Sequence, residues 1–345
     1  MTDSHFLSAC HRKPTPYTPI WLMRQAGRYM PEYRAVRSRK GFLELCKDPD
    51  AAAEITVRAV ERLGVDAAII FADILLIVEP LDVGLEFSQG DGPVLHNPIR
   101  TPADVARLRN VDAAAEVSFV YDAIRKARAA LSVPIIGFSG APFTLASYVI
   151  EGGGSRSYFH TKQLMYREPE AWHALMRRLS TAVVGYLEGQ IAAGAQAVQL
   201  FDSWVGCLAP DDYERFVLPH MRALIGAVAP RIPVIHFGTG TAGLLELMRQ
   251  AGGHVIGLDW RVDLAAAWQR VGSEFAIQGN LDPQVLLAPL DEIRDHTARI
   301  LERAGGSRGH IFNLGHGILP QTPVDHVVAL VDIVHEMSAR SAARS

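Results

Sequence analysis

PVIHFGTGTAGLLELMRQAGGHVIGLDW, residues 233–260, reads as an apolar run at 233–238, a helical pattern at 242–251 and a second apolar run at 255–260. That is one strand–helix–strand unit, and the same rhythm recurs along the chain. Short runs rich in Val, Ile and Phe, each followed by Gly, Asp or Ser, fall at 20–25, 66–73, 134–140, 197–203, 233–238, 255–260, 275–280 and 310–315. Helical patterns follow at 51–63, 113–131, 169–193, 211–228, 242–251, 264–271, 290–304 and 323–338. In the first of these, Ile55, Ala59 and Leu63 share one stripe. Thr322-Pro323 with Asp325 has the spacing of a helix-starting capping box. Eight strands alternating with eight helices predict an α/β fold, a closed (β/α)8 TIM barrel, with a doubly wound open sheet as the competing architecture.

The barrel is expected to occupy residues 1–345 as a single domain, since 49% hydrophobic content supports a large core and no linker interrupts the chain. Residues 1–18, with RKPTPYTP at 12–19, read as an extended lead-in. Residues 81–99, with Gly84, Gly90-Asp91-Gly92 and alternating apolar residues, read as a β-hairpin inserted after the second strand, walling one side of the site. The amino terminus lacks a signal-peptide core and no apolar stretch is long enough to span a bilayer, which points to a cytoplasmic protein with no membrane partner. Cys10, Cys46 and Cys207 are scattered and form no CxxC pair, so neither a disulfide framework nor a structural zinc site is expected.

The formal net charge is −3, yet residues 24–40 hold Arg24, Arg28, Arg34, Arg37, Arg39 and Lys40 against one acid, Glu32. A nucleic-acid binder spreads basic residues over a whole face, so a small polyanion is the better ligand. Arg34, Arg37, Arg39 and Lys40 read as a solvated face. Arg24 differs, because it follows Leu22-Met23 at the mouth of an apolar run, where a charge needs a partner.

Active sites of such barrels lie at the carboxyl ends of the strands. Those ends carry Arg24 and Arg28, Asp73, Ser139, Asp202 and Ser203, His236, Asp259, Asn280 and His316. Guanidinium groups clamp carboxylates, and Asp73 adds one negative charge deeper in. The pairing has a chemical use. Decarboxylating an acetate on a pyrrole requires a protonated, cationic ring as electron sink, and a fixed carboxylate stabilises that cation. Nearby arginines are expected to favour ionised Asp73. A carboxylate satisfied by its own loop is the alternative reading of Asp73.

PIWLMRQAGRYMPEYR (19–34) and GFSGAPFTLASYVIEGGGS (137–155) resemble the two signature segments of the uroporphyrinogen decarboxylase family. FADIL (71–75), GLDW (257–260), GNLDP (279–283) and NLGHGI (313–318) resemble it in the same order. The resemblance implies a (β/α)8 carboxy-lyase without cofactor or metal, usually a homodimer with facing sites. Such enzymes convert uroporphyrinogen III to coproporphyrinogen III and CO2 in haem biosynthesis. By position in these motifs it places substrate contacts on Arg24, Gln25, Ala26, Gly27, Arg28, Asp73, Tyr148, Ser203 and His316, with Asp73 stabilising the pyrrole cation. The acid that protonates the ring stays open among Arg24, Arg28 and a bound water. Gly152-Gly153-Gly154 suggests either a loop carrying Arg156 and Lys162 over substrate or a plain surface loop. FDSWVG (201–206) has serine where many bacterial members have threonine, which keeps the hydroxyl. HFGTG (236–240) departs more, since many members carry a basic residue near that strand end.

Three other readings compete. Gly238-Thr-Gly-Thr-Ala-Gly243 matches the dinucleotide fingerprint GxGxxG, with Asp259 ending the next strand. Zinc-dependent methyltransferases share this barrel type and use a His-x-Cys pair; here His236 precedes Phe237 and Gly238, so Cys207 would have to serve. A tetrapyrrole-binding barrel without turnover is the third, and it has no need of Asp73. His96, His160, His220, His254 and His326 read as structural. His316, between two glycines, could bind a carboxylate or carry a proton.

Overall fold

The computed structural model describes residues 4–88, 92–109 and 111–339. Its strands are β1 (Ala68–Ile69), β2 (Leu85–Ser88), β3 (Gly92–Leu95), β4 (Ile135–Gly140), β5 (Ala197–Asp202), β6 (Val234–Gly238), β7 (Val255–Gly257), β8 (Ala276–Gln278) and β9 (His310–Ile311). β1 and β4 to β9 are all parallel and neighbour one another in chain order. Ile20 fills the remaining position. It bridges Phe312 in parallel, and its carbonyl accepts a hydrogen bond from Asp66 N at 2.8 Å, joining the two ends of the sheet. The result is a (β/α)8 barrel; a doubly wound sheet would reverse its strand order part-way.

The first expected strand, 20–25, is therefore reduced to one bridging residue. Side chains take over its backbone groups: Leu22 N donates to Gln25 Oε1 at 3.0 Å and Met23 N to Asn313 Oδ1 at 3.1 Å. Among the helices, Pro169–Ala193, Leu264–Val271 and Leu290–Ala304 agree with the sequence pattern. The helix expected at 211–228 is broken at Val217 into Pro210–Phe216 and Leu218–Val228, the second opening with Pro219, which has no N–H to continue a preceding turn. The one expected at 113–131 divides at Val117 into Ala113–Glu116 and Ser118–Ala130. The capping box expected at Thr322 does not form. Helix Val324–Ser338 is preceded by Pro323 as its cap, and the Thr322 hydroxyl is buried without a partner.

Residues 1–18 are not simply extended, because His5–Cys10 forms a helix capped by Ser4 that buries Phe6, Ala9 and Cys10. Six residues are too few to show helical periodicity in the sequence. Within 81–99, β2 and β3 pair antiparallel with Leu85 opposite Leu95; Gly90 and Asp91 lie outside the described residues. Val94 bridges Gly153, and Leu95 N donates to Gly152 O at 3.0 Å. Gly152 and Gly153 take φ of +84° and +156°, so the glycine run is a left-handed turn docked on the hairpin. Lys162, beyond it, donates to Cys207 O at 2.8 Å.

The barrel interior is packed. Trp21 Nε1 donates to Gln278 Oε1 at 2.9 Å and Gln278 Nε2 to Gln199 Oε1 at 2.9 Å. The rings of Phe138, Phe201 and Phe237 follow one another edge to face, with centroids 5.5 and 6.0 Å apart. At closure, Asp66 collects Ile20 N at 2.8 Å, Tyr17 Oη at 2.9 Å and His335 Nε2 at 2.8 Å. Asp66→Ala strands these groups and should cost about 2–4 kcal/mol of unfolding free energy. Urea denaturation measures it, and a variant as stable as the parent would remove this account of closure.

Candidate active site

The loop after Ile20 is held open by its own side chains. Gln25 is buried; its Nε2 donates to Ala67 O at 3.1 Å and its carbonyl accepts Tyr29 Oη at 2.7 Å. With Oε1 serving Leu22 N and its own N–H donating to Leu22 O, Gln25 braces the loop. Arg24 adopts φ of +63°, and a Cβ on Gly27 would stand 2.8 Å from Arg24 O, so only glycine fits that turn. Among the described residues the backbone N–H groups of Ala26, Gly27 and Arg28 meet no protein acceptor, and the Arg24 and Arg28 guanidiniums make no hydrogen bond or ion pair. Successive unpartnered N–H groups beside two guanidiniums are the kind of donor set that suits an anion. Three of the other basic residues are structural: Arg34 donates to Arg28 O at 3.1 Å and Tyr29 O at 2.7 Å, Arg37 donates to Lys40 O at 2.6 Å, and Lys40 pairs with Asp48, while Arg39 is exposed.

Asp73 stands beyond β1 and accepts Leu75 N on Oδ1 at 2.9 Å. The loop thus satisfies one oxygen only, and Oδ2 has no protein donor among the described residues. Burial pushes its carboxyl up to about 6, with the Leu75 hydrogen bond and Arg24 acting the other way. This corrects the expectation that arginines would dominate: desolvation outweighs one guanidinium. Arg24 is itself lowered by burial and by Arg28, against Asp73 and Tyr148. Tyr148, on helix Pro142–Glu151, is pushed up to about 12 by burial and then by Asp73. Arg24, Arg28, Asp73 and Tyr148 therefore share one electrostatic field.

His316 completes this side. A Cβ on Gly315 would lie 2.3 Å from Trp260 N, and one on Gly317 would lie 2.4 Å from Arg24 Cδ. The two glycines let the His316 loop press against Trp260 in the loop after β7 and let the Arg24 stem lie across it. Burial, then Arg24 and Arg261, push the imidazole down to about 4. At neutral pH this direction favours the uncharged imidazole, a hydrogen-bonding group.

Ser203 follows β5 between two anchored neighbours. Asp202 accepts Thr144 Oγ1 at 3.0 Å, and Thr144 Oγ1 accepts Trp204 N at 3.3 Å. Trp204 stacks on Tyr148 with centroids 3.8 Å apart and planes 28° apart, which brings Ser203 to the Tyr148 side of the cleft. Sequence reasoning missed Trp204 although it sits inside FDSWVG, two residues past the end of β5.

Five strand-end candidates turn out to be scaffold. Ser139, Leu200 and His236 share a register face opposite the one that carries Gln199 into the lumen. Ser139 donates to Gly140 O at 3.1 Å; His236 is fully buried 3.6 Å from Asp202. Asn280 Nδ2 donates to Asp259 O and Val262 O, both at 2.8 Å, and Asp259 accepts from Gly240 N. Asp259 is thus engaged in tying its loop to the glycine-rich turn, and a Cβ on Gly206 would meet Thr239 O at 2.2 Å, so the GxGxxG stretch is a close-packed corner. The Cys207 thiol is pushed up to about 11 by burial, which disfavours the thiolate that zinc requires. Among the described residues no three His, Cys, Asp or Glu side chains are grouped to hold a metal ion, and no helix is long and apolar enough to cross a membrane.

Fold and site together define a (β/α)8 barrel whose strand ends gather a loop with two unpaired guanidiniums, a carboxyl pushed up by burial and an imidazole pushed down by it. The model of the uroporphyrinogen decarboxylase family matches residues 1–337, and the chain belongs to that family. It is 56% identical to the uroporphyrinogen decarboxylase of Roseiflexus sp., over 98% of this chain and 100% of that one. Against the one from Carboxydothermus hydrogenoformans it is 54% identical, over 99% and 98%. A methyltransferase from Methanosarcina mazei shares the fold, with a TM-score of 0.81 at 20% identity over 96% of this chain and 97% of that one.

Proposed function

We propose that the protein decarboxylates the acetate side chains of uroporphyrinogen III to methyl groups, giving coproporphyrinogen III and CO2. The observation that carries the reading is Asp73, a carboxylate in the field of Arg24 with one oxygen uncommitted, beside a loop whose Arg24 and Arg28 guanidiniums and Ala26, Gly27 and Arg28 N–H groups have no protein partner among the described residues. The substrate carries acetate and propionate on each pyrrole, which suits that loop, and its pyrrole N–H groups suit Asp73.

Protonation of a ring carbon makes the pyrrole cationic. The bond from the acetate methylene to its carboxylate then breaks, its electron pair enters the ring system as an exocyclic double bond, and CO2 leaves. A proton added at that methylene and one lost from the ring carbon leave a methyl group, so each cycle consumes one proton per CO2. Asp73 stabilises the cation by charge and by accepting N–H hydrogen bonds. Arg24, Arg28 and the 26–28 backbone orient carboxylates, while Tyr148, Ser203 and neutral His316 supply hydrogen bonds around the ring. Nothing in this sequence of steps needs an electron acceptor. A cytoplasmic homodimer with facing sites, carried by the family resemblance, belongs to the proposal.

Anaerobic incubation of chelator-treated protein with uroporphyrinogen, followed by mass spectrometry, tests it. Stepwise loss of CO2 down to coproporphyrinogen is expected without additions. Absence of product would defeat the proposal.

A further inference from the structure

Beyond the segment that resembles the family's GLDW stands Arg261, whose guanidinium is fixed on two sides. Its Nη1 lies 3.0 Å from Asp259 Oδ2, and its centre sits 3.8 Å from the Trp260 ring centroid. Asp259 is held in turn: it also accepts Arg261 N at 2.9 Å and Gly240 N, and only 3% of its side chain is exposed. One edge and one face of the guanidinium are thus committed to protein. The side chain nevertheless keeps 52% of its surface exposed. An arginine so placed has already lost the rotamer freedom that a ligand would otherwise have to remove.

Its place in the cleft follows from the glycines around His316. Gly315 seats the loop on the Trp260 backbone, and the His316 ring stands edge-on to Trp260 with centroids 6.4 Å apart. Gly317 seats the same loop on Arg24. Arg24 and the Trp260–Arg261 corner therefore both neighbour the His316 loop, the first through Gly317 and the second through Gly315.

We propose that Arg261 is a further substrate-binding residue, whose free guanidinium edge takes a side-chain carboxylate of the macrocycle beside the His316 loop. A pyrrole tetramer spreads carboxylates around its whole rim, and the Arg24–Arg28 loop reaches one side of it only. The Trp260 face and Asp259 hold the fork in plane, so the contact is directional, which a lysine would not reproduce. The proposal rests on the decarboxylase reading given above.

The test compares wild type with Arg261→Gln and Arg261→Lys, using KM and kcat for uroporphyrinogen and equilibrium dialysis of the stable oxidised analogue, uroporphyrin, at several salt concentrations. Arg261→Gln is expected to raise KM by about tenfold with the loss carried by KM rather than kcat, to weaken uroporphyrin binding, and to make that binding less salt-dependent. Arg261→Lys, which keeps the charge without the fork, should recover part of the salt dependence and less of the affinity. Should Arg261→Gln lose thermal stability, Arg261→Lys alone still decides: KM and affinity equal to wild type would overturn the proposal. Unchanged KM, affinity and salt dependence in Arg261→Gln would overturn it too, while leaving the decarboxylase reading intact. A wild type that neither binds uroporphyrin nor turns over uroporphyrinogen would remove both.

Discussion

Asp73→Asn should lower kcat by about 10²–10³-fold, or ~2.7–4 kcal/mol of barrier, the scale of one preorganised electrostatic contact removed from a charged transition state. The amide can still accept Leu75 N, so the turn survives and the missing charge is the only large change. The same variant should be more stable than wild type at neutral pH. The folded state raises this carboxyl from 3.8 to about 6, so between those values the native protein binds more protons than the unfolded chain. Wild-type stability therefore contains a favourable contribution below pH 3.8 that is lost as pH rises through 6, and holding the charge above 6 has a cost. Asparagine avoids it, giving a gain on the order of 1–3 kcal/mol above pH 6 that fades as pH falls toward 4. Activity runs the opposite way, since the ionised carboxylate does the work: kcat/KM should fall on the acid side with an apparent pKa near 6. Anaerobic turnover and thermal melts across pH check both halves. Turnover near wild type in a folded Asp73→Asn protein would sink the mechanism.

Arg24→Ala should lower kcat/KM by about 100-fold, on the order of 3 kcal/mol, because it removes a charge-assisted contact in a partly desolvated cleft. Arg24→Lys should restore less than a tenth of the loss, since an ammonium cannot present two parallel donors. Gly317→Ala is the geometric counterpart: its new Cβ would fall 2.4 Å from Arg24 Cδ and 2.7 Å from Cγ, so it must displace the arginine without touching its charge. A smaller loss of kcat/KM in the same direction is expected. Removing the Arg24 charge should also let the His316 pKa climb from about 4, a shift that proton NMR of the imidazole would follow. An Arg24→Ala protein with unaltered kcat/KM would show that carboxylates are held elsewhere.

The barrel was legible because its signal is local. Each strand–helix unit declares itself by hydrophobic periodicity, and parallel connection of successive units leaves few ways to order the strands. Boundaries were less legible where distant side chains intervene. Ile20 reads as the start of a strand, yet Gln25 and Asn313 take the N–H groups that would have continued it, and Asn313 lies at the far end of the chain. Likewise, nothing in residues 1–18 shows that six of them turn helical against the barrel.

At the site, sequence by itself picked out the arginine-bearing loop at 24–28, the carboxylate at Asp73 and the family, since these rest on residue type and motif order. Only tertiary structure decided which strand ends serve the cleft. Ser139, Asp202, His236, Asp259 and Asn280 are spent on the scaffold, because successive side chains of a strand alternate between faces and their partners come from other elements. Burial in the folded chain is also what pushes the Asp73 carboxyl up and the His316 imidazole down, and the fold is what sets Trp204 against Tyr148 and Arg261 on Trp260. The physical reason is common to all of these. Protonation state and orientation depend on burial and on charges brought within a few ångströms, and those distances exist only once the chain has folded.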